Sequence, residues 1–215
     1  MNKVVLWFTK LTGYPIQYFY YRKRIYTIDN DKSLRKIKGG ALIVCNHTAL
    51  WDFPLVMYTF LSRDLHTLTA EIVYEKGKLM SWFVNAIGGI RVNRDSYNFN
   101  FTSPMIDVLK KNKVGLVFPE GRIPDEGETQ DFIDFKPSYV YLALEGEVPI
   151  VPIVTNGIYG KKKREKKDVA KVMIGKRIYP RDLMDPNKSE KENLDYINSY
   201  VRSYMLYLLS ELKKK

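Results

Sequence analysis

Apolar residues recur along the chain in two rhythms. Between residues 41 and 175 there are six short runs rich in β-branched and other apolar residues: "ALIVCN" (41–46), "LHTLTA" (65–70), "GIRV" (89–92), "VGLVF" (114–118), "PIVPIV" (149–154) and "KVMIG" (171–175). Between them, Leu50 to Leu61, Gly77 to Ala86, Phe99 to Lys111 and Lys136 to Glu145 have helical length and spacing. Strands alternating with helices predict an α/β domain with a mostly parallel central sheet flanked by helices. In such a domain ligands bind beyond the carboxyl ends of the strands.

The two ends read differently. Ser189 and Glu192 stand at capping-box spacing, and apolar residues then repeat at Leu194, Ile197, Val201, Tyr204, Met205, Leu208 and Leu212, predicting a long amphipathic C-terminal helix. Its lysine tail, Lys213 to Lys215, suits the negative end of the helix dipole. At the other end, the unbroken apolar run Val4 to Phe8 is far short of the roughly 20 residues of a spanning helix, and the pattern fits no signal peptide. Trp7, Phe8 and Tyr18 to Tyr21 stand beside Arg22, Lys23 and Arg24, the make-up of an amphipathic helix lying in a membrane interface. The expected division is therefore a membrane-anchoring helical segment over 1–25 and an α/β domain over 26–215. The acidic, glycine-containing loop Pro119 to Asp134 reads as a segment over a site, and "KKKREKK" (161–167) as a solvated basic loop.

Composition narrows the chemistry. With 45% apolar residues in 215, the chain can bury a sizeable core without staples. One cysteine, Cys45, excludes an internal disulfide and a cysteine-rich zinc site, and two histidines leave little for other metals. The net charge of +11 attracts an anionic partner, either nucleic acid or anionic lipid. No nucleic-acid recognition motif is evident, and the clustering of aromatic residues near the N-terminus favours a lipid surface.

One histidine sits at a strand end. In "CNHTALWDF" (45–53), His47 precedes Asp52 by five positions. On a continuous helix these two would lie about 140° apart around the axis and would not meet. A strand ending at Asn46 and a helix starting near Thr48 to Leu50 would let the turn bring Asp52 back to His47. A carboxylate there fixes the imidazole tautomer and stabilises its charged form. Two further strand ends carry guanidinium groups suited to phosphate, Arg94 in "GGIRVNR" (88–94) and Arg122 in "VFPEGR" (117–122). Asn46 reads as a turn residue.

Taken in order, "NHTALWD", "GGIRVNR", "FPEGRI" and the proline-containing strand "VPIVPI" resemble the four blocks of the phospholipid-synthesis acyltransferases typified by 1-acylglycerol-3-phosphate (lysophosphatidate) acyltransferase. The resemblance covers about residues 41 to 154, and "FKPSYVYLALEGEVP" (135–149) resembles the family's helix between the third and fourth blocks. It departs from the pattern at Arg91 and Asn93, which replace an aromatic residue and an acid, and at Arg122, which stands one position early. The resemblance implies His47 as general base, Asp52 as its orienting partner, and Arg94, Glu120, Gly121 and Arg122 as acceptor-binding residues. It implies a peripheral enzyme on the cytoplasmic face of the cell membrane, taking an acyl-CoA or acyl carrier protein thioester as donor and a lysophospholipid as acceptor, with no metal and no cofactor. Competing readings are acylation of glycerol 3-phosphate or another lyso-lipid, a covalent scheme through Cys45, which shares a strand face with His47, and a non-catalytic basic lipid- or nucleic-acid-binding module.

Overall fold

The computed structural model describes residues 1–19, 21–49, 51–92, 103–125, 128, 131–157 and 169–215. The helices are α1 (Lys3–Phe19), α2 (Asp52–Thr59), α3 (Glu71–Tyr74), α4 (Lys78–Ala86), α5 (Ser103–Lys110), α6 (Ser138–Glu145) and α7 (Glu190–Lys213). The strands are β1 (Arg24–Thr27), β2 (Ala41–Cys45), β3 (Leu65–Ala70), β4 (Gly89–Val92), β5 (Val114–Val117), β6 (Ile150–Thr155) and β7 (Lys171–Ile174). They form one seven-stranded sheet in the order β1-β7-β6-β2-β5-β3-β4. All pairs are parallel except β6 with β7, so the expected α/β architecture with a mostly parallel sheet is the one found.

The central strands are apolar throughout because both sheet faces are covered. Leu42 and Val44 of β2 point into a core shared with Leu109 of α5, Leu142 of α6 and Val201 of α7. Ile43 and Cys45 point the other way, into a core shared with Leu6 of α1 and Leu55 and Met57 of α2. A leucine or isoleucine buried this completely contributes about 2 kcal/mol relative to exposure. Ser189 caps α7 through both bonds of a capping box with Glu192.

β1 escapes the hydrophobic pattern because it is a four-residue edge strand, "RIYT", paired on one side only with β7. α3 has one turn, too short for a periodic signal. Of the helix expected over Phe99 to Lys111, residues 99–102 lie outside the described residues, Ser103–Lys110 is helical and Lys111 begins the turn after it. The basic run 161–167 lies outside them.

α1 is part of the folded body. Its inner face carries Leu6, 2% exposed, and Gly13, against which the Tyr58 side chain lies so close that a Cβ would stand 2.0 Å from its hydroxyl oxygen. Lys10, which interrupts the apolar run in the sequence, donates to the carbonyls of Leu61 and Arg63 and to Asp64 just beyond the end of α2. The outer face carries Val4, Trp7, Phe8, Leu11, Tyr18 and Phe19, all more than half exposed. Lys23, expected among the lipid-facing charges, has its amine buried without a hydrogen-bond partner among the described residues, and burial lowers it to about 8. No helix among the described residues is long and apolar enough to cross a membrane.

Candidate active site

The site forms where β2 and β5 end side by side. β2 stops at Cys45, and Asn46 fastens the following turn to β6: its amide donates to the Thr155 carbonyl at 3.2 Å, and its side-chain oxygen accepts the Thr155 N–H at 2.8 Å. The chain turns through His47, Thr48 and Ala49 before α2 begins at Asp52, and this strand–turn–helix geometry brings Asp52 back. Its Oδ2 lies 3.0 Å from His47 Nδ1 and accepts the Thr48 and Ala49 N–H groups at 2.6 and 2.8 Å, while Oδ1 accepts the Thr48 hydroxyl at 3.0 Å. The Asp52 side chain is fully buried, and these donors offset the cost of desolvating it.

A carboxylate only accepts, so Nδ1 carries the proton and Nε2 is left with a lone pair. The ring is further held by Phe118, at the end of β5, with centroids 4.3 Å apart and planes within 19°.

Glu120 follows β5 and binds backbone. One carboxylate oxygen accepts the His47 N–H at 2.8 Å and the other the Ile133 N–H at 3.3 Å, so Glu120 joins the His47 turn to the far end of its own loop. Burial pushes Glu120 up to about 7, against these two donors and His47, which favour its charged form. Gly121 has φ +72°, a left-handed conformation that glycine adopts freely. A Cβ there would stand 3.5 Å from the Lys136 amine, so this lysine lies along the loop.

Arg122 faces its own loop. Its guanidinium grips Glu128 through both Nη atoms and stands 3.6 Å from Asp125. That grip, with the Asp125 N–H, holds Glu128 down at about 2. Arg91 pairs with Glu71 and lies over the Tyr74 ring, away from His47. Arg94 lies outside the described residues. Cys45 is completely buried, and burial, Asp52 and Glu120 all push its thiol upward, the opposite of what a nucleophile needs.

The structure thus brings together His47, Asp52, Glu120 and Gly121, with Arg122 at the rim and turned outward. Sequence reasoning missed Phe118 and Lys136. Phe118 opens the "FPEG" block, but stacking on His47 is a contact between β5 and the turn after β2 that spacing does not encode. Lys136 was within the quoted "FKPSYV" block, and its position beside Gly121 emerges only when the loop closes.

A family model described as acyltransferase matches residues 24–156. Among similar proteins, a 1-acyl-sn-glycerol-3-phosphate acyltransferase from Bacillus subtilis (strain 168) is 24% identical over 145 residues, covering 67% of this chain and 70% of that protein. One from Cocos nucifera is 27% identical over 55% of this chain and 38% of its own length. A human one, the beta form, is 23% identical over 70% and 51%. The chain therefore spans between 38% and 70% of the length of these relatives. The crystal structure of the 1-acyl-sn-glycerophosphate acyltransferase PlsC from Thermotoga maritima matches 99% of this chain and 80% of its own with a TM-score of 0.66, at 19% identity, a likeness of fold.

Proposed function

This chain belongs to the acyltransferase family, and from that premise we propose that it moves a fatty acyl group from an acyl thioester to the free hydroxyl of 1-acylglycerol 3-phosphate, giving phosphatidic acid. The observation that carries this reading is the 3.0 Å contact between His47 Nδ1 and Asp52, which leaves Nε2 as the base. As the acceptor oxygen attacks the thioester carbonyl, His47 Nε2 takes its proton and Asp52 stabilises the imidazolium. The tetrahedral intermediate collapses by breaking the carbon–sulfur bond, and the departing thiolate recovers the proton from His47. General-base help of this kind is worth about 10² to 10⁴ in rate.

The acceptor phosphate needs cationic partners near this turn. Lys136, beside Gly121, makes no ion pair among the described residues, and Arg122 can exchange the Glu128 carboxylate for a phosphate that offers the same bidentate geometry. Arg94, on the resemblance, would complete the set. The donor is an acyl-CoA or acyl carrier protein thioester.

The enzyme works at a membrane, on this reading at the cytoplasmic face of the cell membrane. The support is the inverted character of α1, whose apolar stripe faces outward, and its continuation on α3 and α4, where Ile72, Leu79 and Trp82 are more than half exposed. A cleft of about 570 Å³ between Val4, Val5, Trp7, Phe8 of α1 and Trp82, Phe83 of α4 joins the two. Trp51, next to Asp52, is 55% exposed at the site itself. Apolar and indole groups in this arrangement suit the lipid interface.

The test is incubation with acyl-CoA or acyl carrier protein thioester and lysophosphatidate, with the product read by mass spectrometry. Phosphatidic acid formed by the parent and lost in His47→Ala supports the reading; no turnover with any donor, or equal turnover in His47→Ala, overturns it.

A further inference from the structure

α7 lies wholly outside the residues matched by the family model, yet two of its side chains reach the loop that closes on Glu120. Arg202 Nη2 donates to the Phe132 carbonyl at 3.1 Å, and Asn198 Nδ2 donates to the Phe135 carbonyl at 2.9 Å. Arg202 also stands 3.8 Å from Asp134, with its guanidinium 6.0 Å from the Phe135 ring centroid. The two residues are one helical turn apart and so share a face of α7. That helix is itself immobilised by Ile197, Val201, Met205 and Leu208, all fully buried.

Between the two gripped carbonyls sits Ile133, whose N–H reaches Glu120 Oε2 at 3.3 Å. One residue beyond Phe135, the Lys136 N–H donates to the Pro119 carbonyl at 2.9 Å, tying the loop's two ends together. The segment has no helix or strand of its own to hold it; its buried Phe132 and Phe135 rings anchor it to the core, and these outside partners fix the course of its backbone. From α7 the contacts run without a gap: Arg202 and Asn198 to the 132–135 backbone, Ile133 to Glu120, Glu120 to the His47 N–H.

We propose that Asn198 and Arg202 are positioning residues that set the Ile133 amide for Glu120 and, through Glu120, fix the backbone of the His47 turn. This rests on the proposed role of His47 as base. If the two side chains only satisfied stray carbonyls, their loss would cost stability and leave the site as it is. If they position, their loss frees the Ile133 donor, Glu120 loses support for its charged form, and His47 loses its fixed place against the acceptor hydroxyl. A displacement of about 1 Å in such a group can cost about 10²-fold in rate.

The experiment uses the full chain and the variants Arg202→Ala, Arg202→Lys and Asn198→Ala. The first readout needs no substrate: the His47 backbone amide resonance is followed by NMR across pH, because that N–H donates to Glu120 and reports its ionisation. The charged or titratable groups facing Glu120 are His47 and Asp52 from the β2–α2 turn, Cys45 from β2 and Arg122 from its own loop, and none is altered in these variants. In Arg202→Ala the midpoint moves upward by about half a pH unit or more, and Arg202→Lys, which still donates and keeps the charge, restores most of it. The second readout is kinetic: kcat falls by about tenfold or more while both KM values stay within about twofold. An unshifted Glu120 midpoint at the His47 amide, with or without a lower melting temperature, overturns the positioning role. Shifted titration in a chain that turns over no acyl donor leaves positioning intact and removes the proposed reaction instead.

Discussion

Asp52 Oδ2 lies 3.0 Å from His47 Nδ1 and, through the same oxygen, holds the Thr48 and Ala49 amides of the intervening turn. One carboxylate thus shapes the turn and fixes the tautomer. Asp52→Asn is expected to lower kcat by about 10² to 10⁴. Asp52→Ala should in addition lower the melting temperature, because it orphans two backbone donors. Steady-state kinetics and thermal melts on both variants check this; an asparagine variant within threefold of the parent would remove Asp52 from the chemistry.

Glu120 gives the site a pH response with a defined sign. Its folded-state value of about 7 lies above the ordinary 4.5, so its contribution to stability is fully present below about 4.5 and is lost as pH rises through 7. Activity runs the other way, since the charged carboxylate is the form that accepts both the His47 and Ile133 amides. Melting temperature of the parent relative to Glu120→Gln should therefore fall between pH 4.5 and 7, while kcat of the parent rises over the upper part of that interval. Parallel melting profiles for parent and variant would contradict the assignment.

Cys45 is a packing residue of β2. Cys45→Ala should keep activity within about threefold and cost about 1 kcal/mol for the lost sulfur contacts in a closed core. Complete loss of turnover with the melt unchanged would restore an acyl-cysteine route.

Acceptor binding should separate from donor binding. Lys136→Ala and Arg122→Ala are expected to raise the KM for lysophosphatidate by about tenfold, one charge-assisted contact each, and to leave the donor KM nearly unchanged. Arg94→Ala extends the same measurement to the arginine of the second block. Glu128→Gln, which releases Arg122 from its partner, should lower the acceptor KM; a change confined to the donor KM would place these cations on the donor instead.

The outward apolar face predicts a loss of lipid affinity without a loss of fold. Leu79→Glu and Trp7→Ala, at side chains 79% and 63% exposed, should reduce sedimentation with vesicles containing anionic lipid, with melting temperatures within a degree or two of the parent. Unchanged partition in the double variant would assign the face to another role.

How much of this was legible beforehand depends on whether a feature is local. The strands β2, β5 and β6 are buried on both faces and announce themselves as apolar runs, and the capping box of α7 is spelled out within four residues. The pairing of His47 with Asp52 was legible because the two lie within one turn. Glu120 on the His47 amide spans 73 positions, and Arg202 on the Phe132 carbonyl spans 70, so neither leaves a trace in spacing. Arg122 was read as a phosphate ligand from its residue type, and its capture by Glu128 depends on the fold of the acidic loop. The segment 1–25 reads as an interfacial anchor because its aromatic residues stand beside Arg22, Lys23 and Arg24, a reading that rests on composition and is blind to which side of α1 each residue faces. Its small and polar positions, Thr9, Lys10 and Gly13, turned out to be the ones facing Tyr58 and the end of α2.

That arrangement on α1 separates two properties that most surface helices mix. The residues that hold the helix to the domain are few and face inward, while those that meet the surroundings are large, apolar and more than half exposed. What the helix presents to its surroundings can therefore be rewritten by substitution on one side of it, from apolar to polar, while the α/β body beneath keeps its shape.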